Sequence, residues 1–303
     1  MEIIRNFIQI IVLFVFVIFS IYLYYFPFLP KLFTFWEPKE KIPGYLKLCI
    51  KTWKKFLFDY QIIILDYKLV KKLLGKILFD SIICKEMPLA VQSDAIRVAL
   101  LDKYGGFWID SDIIFLNKKI VEQIPNYELM MPREEKTKHH FIGMIYSIKD
   151  SIIIHEWLMK IIYKVKRYKE FVLKNKYSNK IKKKKNRFYS LNYLGNYIID
   201  PILNNKTNNK FLFFDSNEYN IFPERNFFSN NSLQYYIDAY RNFYFSKGDP
   251  KLIIKQSKGL IYLHNSWTPS QYKKMSERQF LKQDVLLSKL LAEILDIKNR
   301  YIL

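Results

Sequence analysis

Leu89–Phe115 reads LAVQSDAIRVALLDKYGGFWIDSDIIF, and its three parts in series decide how the rest of the chain is read. The first part has helical spacing. Asp94 and Arg97 are three residues apart, so on a helix they share a face. Gly105-Gly106 then breaks the helix, as a C-cap and a tight entry to the next segment. The third part is a short apolar strand running into Asp110-Ser111-Asp112. In an extended segment Trp108, Asp110 and Asp112 lie on one face, while Phe107 and Ile109 point into a core. A strand end that delivers two carboxylates with one residue between them suits a hard divalent cation. Mg²⁺ and Mn²⁺ take oxygen ligands and typically use one or two carboxylates together with substrate phosphates. A bare Asp-x-Asp also occurs in solvated loops, so the pair gains its meaning from what surrounds it.

Upstream, the chain alternates. Lys31–Trp36 reads as a strand. Tyr45–Phe58 reads as a helix on the spacing of Leu46, Ile50, Trp53 and Leu57, Gln61–Asp66 as a covered parallel strand, and Tyr67–Leu74 as a helix. This β-α-β-α order predicts a doubly wound α/β domain. Downstream, strands are expected at Glu128–Met131, Phe141–Ser147, Phe211–Asp215 and Gly259–His264. Helices are expected near Ser151–Leu173, Ser190–Leu203 and Leu233–Phe245, with a last one from Ser276 through Leu295 and a loop at Asn175–Asn186.

Half of the 303 residues are apolar and 17% are aromatic, which describes a folding chain with a substantial core. Cys49 and Cys84 have no metal or redox spacing and are expected to be buried, reduced thiols. The net charge of +21 is uneven: Lys160–Arg187 holds thirteen basic residues and one acidic residue. That run suits a solvated surface, an anionic membrane face or a phosphate-bearing acceptor. No nucleic-acid-binding motif accompanies it, and no specific nucleic acid is expected as a partner.

Phe7–Phe26 is apolar apart from Gln9, Ser20 and its tyrosines, and as a helix it is long enough to span a hydrocarbon core of about 30 Å. Tyr22, Tyr24 and Tyr25 would sit at the interface, with Pro27 and Pro30 ending the helix. Residues 1–30 are therefore expected to be a single transmembrane anchor and 31–303 a catalytic domain. The lysines after the span favour a cytoplasmic domain, with a lumenal, type II orientation as the alternative.

The combination SDxxR, GG and xWxDxD, with Asp94 and Asp112 eighteen residues apart, resembles the signature of the sugar-transferases of glycosyltransferase family 32 and the related capsular polysaccharide synthesis proteins. IPGYLKLCIKTWKKFLFDYQIIILD is similar to the opening of the latter, except that Phe58-Asp59-Tyr60 lacks their usual Pro. LHNSW at 263–267 looks like their late His/Trp element. The resemblance implies a GT-A type, Rossmann-like α/β fold binding a nucleotide-sugar. It implies Mn²⁺ or Mg²⁺ on Asp110 and Asp112, and transfer with retention to a glycan or lipid-linked acceptor. It places Asp94, Arg97, Trp108, Asp110, Ser266 and Trp267 at the donor. It makes Arg97 a catalytic residue beside the two aspartates, and His264 a third metal ligand or a phosphate contact. An imidazole is acceptable to Mn²⁺.

Two other readings compete with this one. A haloacid-dehalogenase-type phosphatase also carries Asp-x-Asp after a strand, but its later acidic pair fails at Ile253, and Walker and dinucleotide glycine motifs are absent. The rival from another class is a membrane-tethered basic scaffold that binds anionic lipid or nucleic acid beside a degenerate transferase site.

Overall fold

The computed structural model describes residues 2–25, 29–135, 137–175, 192–204, 210–215, 219 and 232–297. The chain opens with helix α1 (Glu2–Tyr25), whose apolar side chains Phe7 and Ile10–Ile18 are exposed. The expected span Phe7–Phe26 falls on this helix, but Ile8, Phe19 and the side chains from residue 21 onward lie outside those described. Among the described residues, no helix is long and apolar enough to cross a membrane. The expectation of a transmembrane anchor is therefore not supported by the described residues.

The α/β alternation is present. Strand β1 (Lys31–Phe35), helix α2 (Gly44–Phe56), strand β2 (Gln61–Leu65) and helix α3 (Tyr67–Leu74) succeed one another close to the predicted bounds. Asp66 caps α3, its carboxylate accepting from the Leu69 amide at 2.7 Å. A short helix α4 (Lys76–Ile82), which the periodicity did not announce, leads to α5 (Leu89–Tyr104). Gly105 and Gly106 both adopt positive φ (64° and 96°), and a Cβ on Gly106 would strike the Lys31 carbonyl. Only glycine lets strand β3 (Gly106–Ile109) leave the helix and lie directly beside β1.

Strands β4 (Ile113–Phe115), β5 (Leu129–Arg133), β6 (Met144–Ser147), β7 (Phe211–Asp215) and β8 (Leu260–Tyr262) complete two sheets. The larger has the order β2-β1-β3-β6-β5-β7, and β4 and β8 form a separate antiparallel pair. The fold is thus mixed α/β with a parallel-rich centre. One departure from a uniform doubly wound sheet is that β6 runs antiparallel to both β3 and β5.

Side-chain parity obeys the period of two. Phe33, Leu65 and Trp108 enter one core with α5 and with helices α6 (Ile152–Asn175) and α7 (Asn196–Asn204). Leu32, Phe107 and Ile109 enter another with Trp53 of α2 and with Ile113 and Phe115 of β4. Both faces of β3 are therefore covered, and each large apolar side chain buried this way contributes roughly 1.5–3 kcal/mol. Both cysteines are buried and free. The basic run begins on α6, and its residues 176–187 lie outside the described residues.

Helices α8 (Leu233–Tyr244), α9 (Pro250–Gln256), α10 (Ser270–Lys273), α11 (Glu277–Leu281) and α12 (Leu286–Ile294) close the third core around Tyr45 and Phe280. The single last helix expected from Ser276 is in fact two. The first opens with a capping box between Ser276 and Gln279, and the chain breaks near Asp284, which pairs with Lys247 and Lys289.

Candidate active site

The two carboxylates of Asp110-Ser111-Asp112 sit where the two sheets meet. The Asp110 amide donates to the Gly143 carbonyl at 2.7 Å, extending the β3–β6 ladder by one rung. The Asp112 carbonyl accepts from the Leu263 amide at 3.0 Å, extending β4–β8 in the same way. Helix α2 braces β4 from below: the Trp53 indole donates to the Ile113 carbonyl at 2.7 Å, and the Thr52 hydroxyl accepts from the Phe115 amide at 3.0 Å. Backbone pairing on both sides thus fixes the two aspartates, which is the stiffness a preorganised site requires.

Oδ1 of Asp110 accepts from Trp108 Nε1 at 2.7 Å and from an Arg97 terminal nitrogen at 3.0 Å. Its Oδ2 accepts no hydrogen bond among the described residues and lies against Gly143, where an added Cβ would stand 2.8 Å from it. The Asp110 side chain is 35% exposed. One oxygen is therefore anchored and the other is presented to the cleft.

Arg97 is almost entirely buried. Its guanidinium donates to the Ile142 carbonyl, lies 3.4 Å from Asp94, and sits over the Trp108 ring at 5.0 Å. Its terminal nitrogens are engaged by Ile142, Asp94 and Asp110, and the residue also lines the cleft. Trp108, expected at the donor, is 1% exposed and lies beneath the site, because β3 is central in the sheet and α5 covers that face. Burial pushes the Asp94 carboxyl up to about 7 against the pull of Arg97, with Asp110 adding to the rise. Asp94 also packs on a glycine, an added Cβ at Gly195 falling 2.8 Å from its Oδ2. Asp112 keeps part of its surface open, yet the surrounding chain and the neighbouring Asp110 push its carboxyl to about 7 despite a 2.9 Å hydrogen bond from the Asn265 amide.

That hydrogen bond brings in the late element. Pairing of β8 with β4 carries His264, Asn265 and Ser266 to the cleft wall. The His264 imidazole stacks on Trp267 (4.0 Å between centroids, 25° between planes), and burial holds its pKa down at about 4, so the ring is neutral at physiological pH. Trp267 does not line the cleft; it backs His264 from behind. The Tyr45 hydroxyl donates to Asn265 Oδ1 at 2.5 Å and fixes the turn.

The cleft has a volume of about 660 Å³, within the range of small-molecule sites. Asp94, Arg97, Asp110, Asp112, His264 and Ser266 all line it. Its lining also includes a group that the sequence did not reveal. His139 and His140 place their Nδ1 atoms 2.8 and 2.7 Å from the two oxygens of Asp200, and the Asn196 amide reaches the same carboxylate at 3.3 and 3.4 Å. Burial opposes ionisation of Asp200, but these hydrogen bonds overcome it and hold the carboxyl well below its usual range. Sixty residues separate His140 from Asp200, so no local spacing could have announced the pair. Phe141 and Tyr262, also in the lining, stack with centroids 4.5 Å apart.

The sequence profile described as "Capsular polysaccharide synthesis protein" matches residues 29–222, more than half of the chain. The chain belongs to that family. No curated protein matches it in sequence. Among solved structures, this family member is similar to "PaToxG Glycosyltransferase" (16% identity, TM-score 0.34, covering 58% of this chain and 68% of that one). It is also similar to a glycosyltransferase "involved in the glycosylation of the major capsid of PBCV-1" (14%, TM-score 0.37, 80% and 97%). A third is "apo-form glycosyltransferase GlyE in Streptococcus pneumoniae TIGR4" (9%, TM-score 0.35, 88% and 63%). These are loose overall likenesses, and the family assignment rests on the profile match.

Whether this family member's residues suit a divalent cation is decided by its donor set. Among the described residues, no three His, Cys, Asp or Glu side chains are grouped so as to hold a metal by themselves, so His264 does not complete a protein-only ligand set. Asp110 with an oxygen free toward the cleft, and Asp112 beside it, instead fit the case of one or two carboxylates supplemented by ligand phosphate oxygens. The residues present fit that group.

Proposed function

We propose that the protein is a metal-dependent glycosyltransferase of capsular polysaccharide synthesis, moving a sugar from a nucleotide-sugar to a glycan or lipid-linked acceptor with retention of configuration. The observation that carries this reading is the free Asp110 oxygen beside Asp112 in one cleft, with Asp94 and the His264–Ser266 turn on its walls. Mn²⁺ or Mg²⁺ on Asp110 and Asp112, when bound, would supply positive charge against the diphosphate leaving group. The chain's own parts are then separable. Arg97 and Trp108 hold Asp110 in one orientation, Asp94 meets donor hydroxyls, and neutral His264 with Ser266 hydrogen-bonds the diphosphate side.

Calorimetry with UDP and GDP, with and without Mn²⁺, and then a nucleotide-sugar screen, tests the reading. Mn²⁺-dependent nucleotide binding that Asp110→Asn abolishes is expected. Transfer that survives chelator and this substitution would sink it.

We further propose, on the sequence alone, that the enzyme is held at a membrane by its first thirty residues with the catalytic domain on the cytoplasmic side. The support is the apolar run Phe7–Phe26 and the lysines that follow it. Digestion of the catalytic domain by protease added outside sealed, right-side-out vesicles would refute the cytoplasmic orientation, and release of the protein by alkaline wash would refute the anchor.

A further inference from the structure

The His139–His140–Asp200 group in the cleft lining is built for a task the donor site does not use. Asp200 is ionised and can only accept hydrogen bonds. It takes the Nδ1 protons of both His139 and His140, together with the His140 backbone amide at 3.2 Å and the Asn196 side chain. A carboxylate so saturated has no capacity left for a ligand; it fixes the imidazoles. The two rings differ in access. His140 is fully buried against Phe213, and its Nε2 has no partner among the described residues. The His139 side chain is 49% exposed and lines the cleft. With its proton fixed on Nδ1, neutral His139 has a lone pair on Nε2 that can only accept.

Distance makes the placement useful. His139 is four residues from Gly143, which touches the Asp110 carboxylate, so the two ends of this segment are at most about 14 Å apart. The stacked Phe141–Tyr262 pair lines the same cleft. His139 and Asp110 thus share one cleft of about 660 Å³, a volume within the range of small-molecule sites.

We propose that His139, oriented by Asp200, is the acceptor-side contact of this cleft: its Nε2 accepts a hydrogen bond from a hydroxyl of the acceptor sugar next to the one that reacts. The proposal rests on the transferase reading above and deepens it; as the bond from the sugar to the diphosphate breaks and the new glycosidic bond forms, the proton of the reacting hydroxyl leaves with the diphosphate, and His139 only holds the acceptor in place. The groups facing His139 are Asp200 from α7, and Glu134 just after β5, both of which favour its protonated form, and the hydrogen bond to Asp200 raises its pKa above the ordinary value of 6.5 against the effect of burial. The protonated ring cannot accept, so use of the acceptor should strengthen as pH rises through that titration.

The test uses the full chain, a panel of nucleotide-sugars as donors and methyl glycosides as acceptor probes. His139→Gln should raise the KM for the methyl glycoside about ten-fold, the worth of one hydrogen bond to an ionisable partner, while moving the donor KM less than about two-fold. It should also remove the rise of acceptor kcat/KM with pH. Asp200→Asn should give the same split, with folding checked by circular dichroism. An unchanged acceptor KM, or equal changes in both KM values, overturns the proposal. A wild-type chain that turns over no nucleotide-sugar refutes the transferase reading instead. In that event the subsite is decided by [¹⁵N]histidine NMR, practicable with only four histidines. Methyl glycosides that shift the His139 ring signals sustain it, and silence overturns it.

Discussion

Asp94→Asn in the metal-free protein should erase a large pH dependence of stability. Asp94 is 5% exposed, and its pKa stands at about 7 against an ordinary value of 3.8. Below pH 3.8 the folded and unfolded chains both carry the proton, and this residue's full contribution is present. Between pH 3.8 and 7 only the folded chain keeps it, so stability is lost as pH rises and levels off above 7. At about 1.4 kcal/mol per unit, the two units between pH 5 and 7 amount to roughly 3 kcal/mol. Urea unfolding in chelator at about pH 5 and about pH 8 measures this directly. The wild type should be less stable at the higher pH. Asn at position 94 should shrink the difference by roughly 3 kcal/mol, Asp112 and other titrations supplying what remains. If the variant keeps the wild-type difference, burial of Asp94 is not what sets its ionisation, and the account of this corner of the site is wrong. Removing the counter-charge acts the other way: Arg97→Met should raise the Asp94 pKa further, so the loss of stability still begins near pH 3.8 but extends to higher pH.

Three other outcomes are expected from the same contacts. Asp112→Asn should lower Mn²⁺-stimulated transfer by at least about 100-fold, in line with the several kcal/mol a metal supplies to a transition state, while the Asn265 amide keeps an oxygen to donate to and the thermal midpoint stays near wild type; initial rates across a Mn²⁺ titration check it. Gly143→Ala pushes a methyl group against the unbonded oxygen of Asp110, so kcat/KM should fall by about ten-fold or more, about 1.4 kcal/mol, and wild-type rates in that variant would show that Oδ2 has room to move. Trp108→Phe leaves a smaller aromatic ring and deletes the hydrogen bond to Asp110 Oδ1, so lost packing and the lost hydrogen bond together should cost at least about 1 kcal/mol in urea unfolding and weaken Mn²⁺ binding measured by calorimetry.

What could be read from the sequence was what short-range geometry dictates. The spacing of Asp94 and Arg97 on a helix, the glycine break, and the period of two through Trp108 and Asp110 all hold, and the β-α-β-α opening is present within a few residues of its predicted bounds. What parity cannot give is depth. Trp108 and Asp110 do share a face, but β3 is central and α5 lies over that face, so the indole is buried and only the carboxylate beyond the strand end reaches the cleft. The same lack of depth hid the contacts that Arg97 makes with Asp110, Asp94 and the Ile142 carbonyl. The antiparallel entry of β6 was illegible for a related reason, since a short apolar run states no direction. Yet that reversal places the Ile142 and Gly143 carbonyls on Arg97 and the Asp110 amide, and through the same segment delivers His139 to the cleft lining. Asp200 arrives from a helix sixty residues later, within a stretch, Ser190–Leu203, that read only as a helix. The half of the cleft made by local spacing was therefore visible before any fold, whereas the half made by long-range packing became visible only with it. The transferase reading needs both halves, because a donor site that binds no acceptor hydroxyl can pass its sugar only to water.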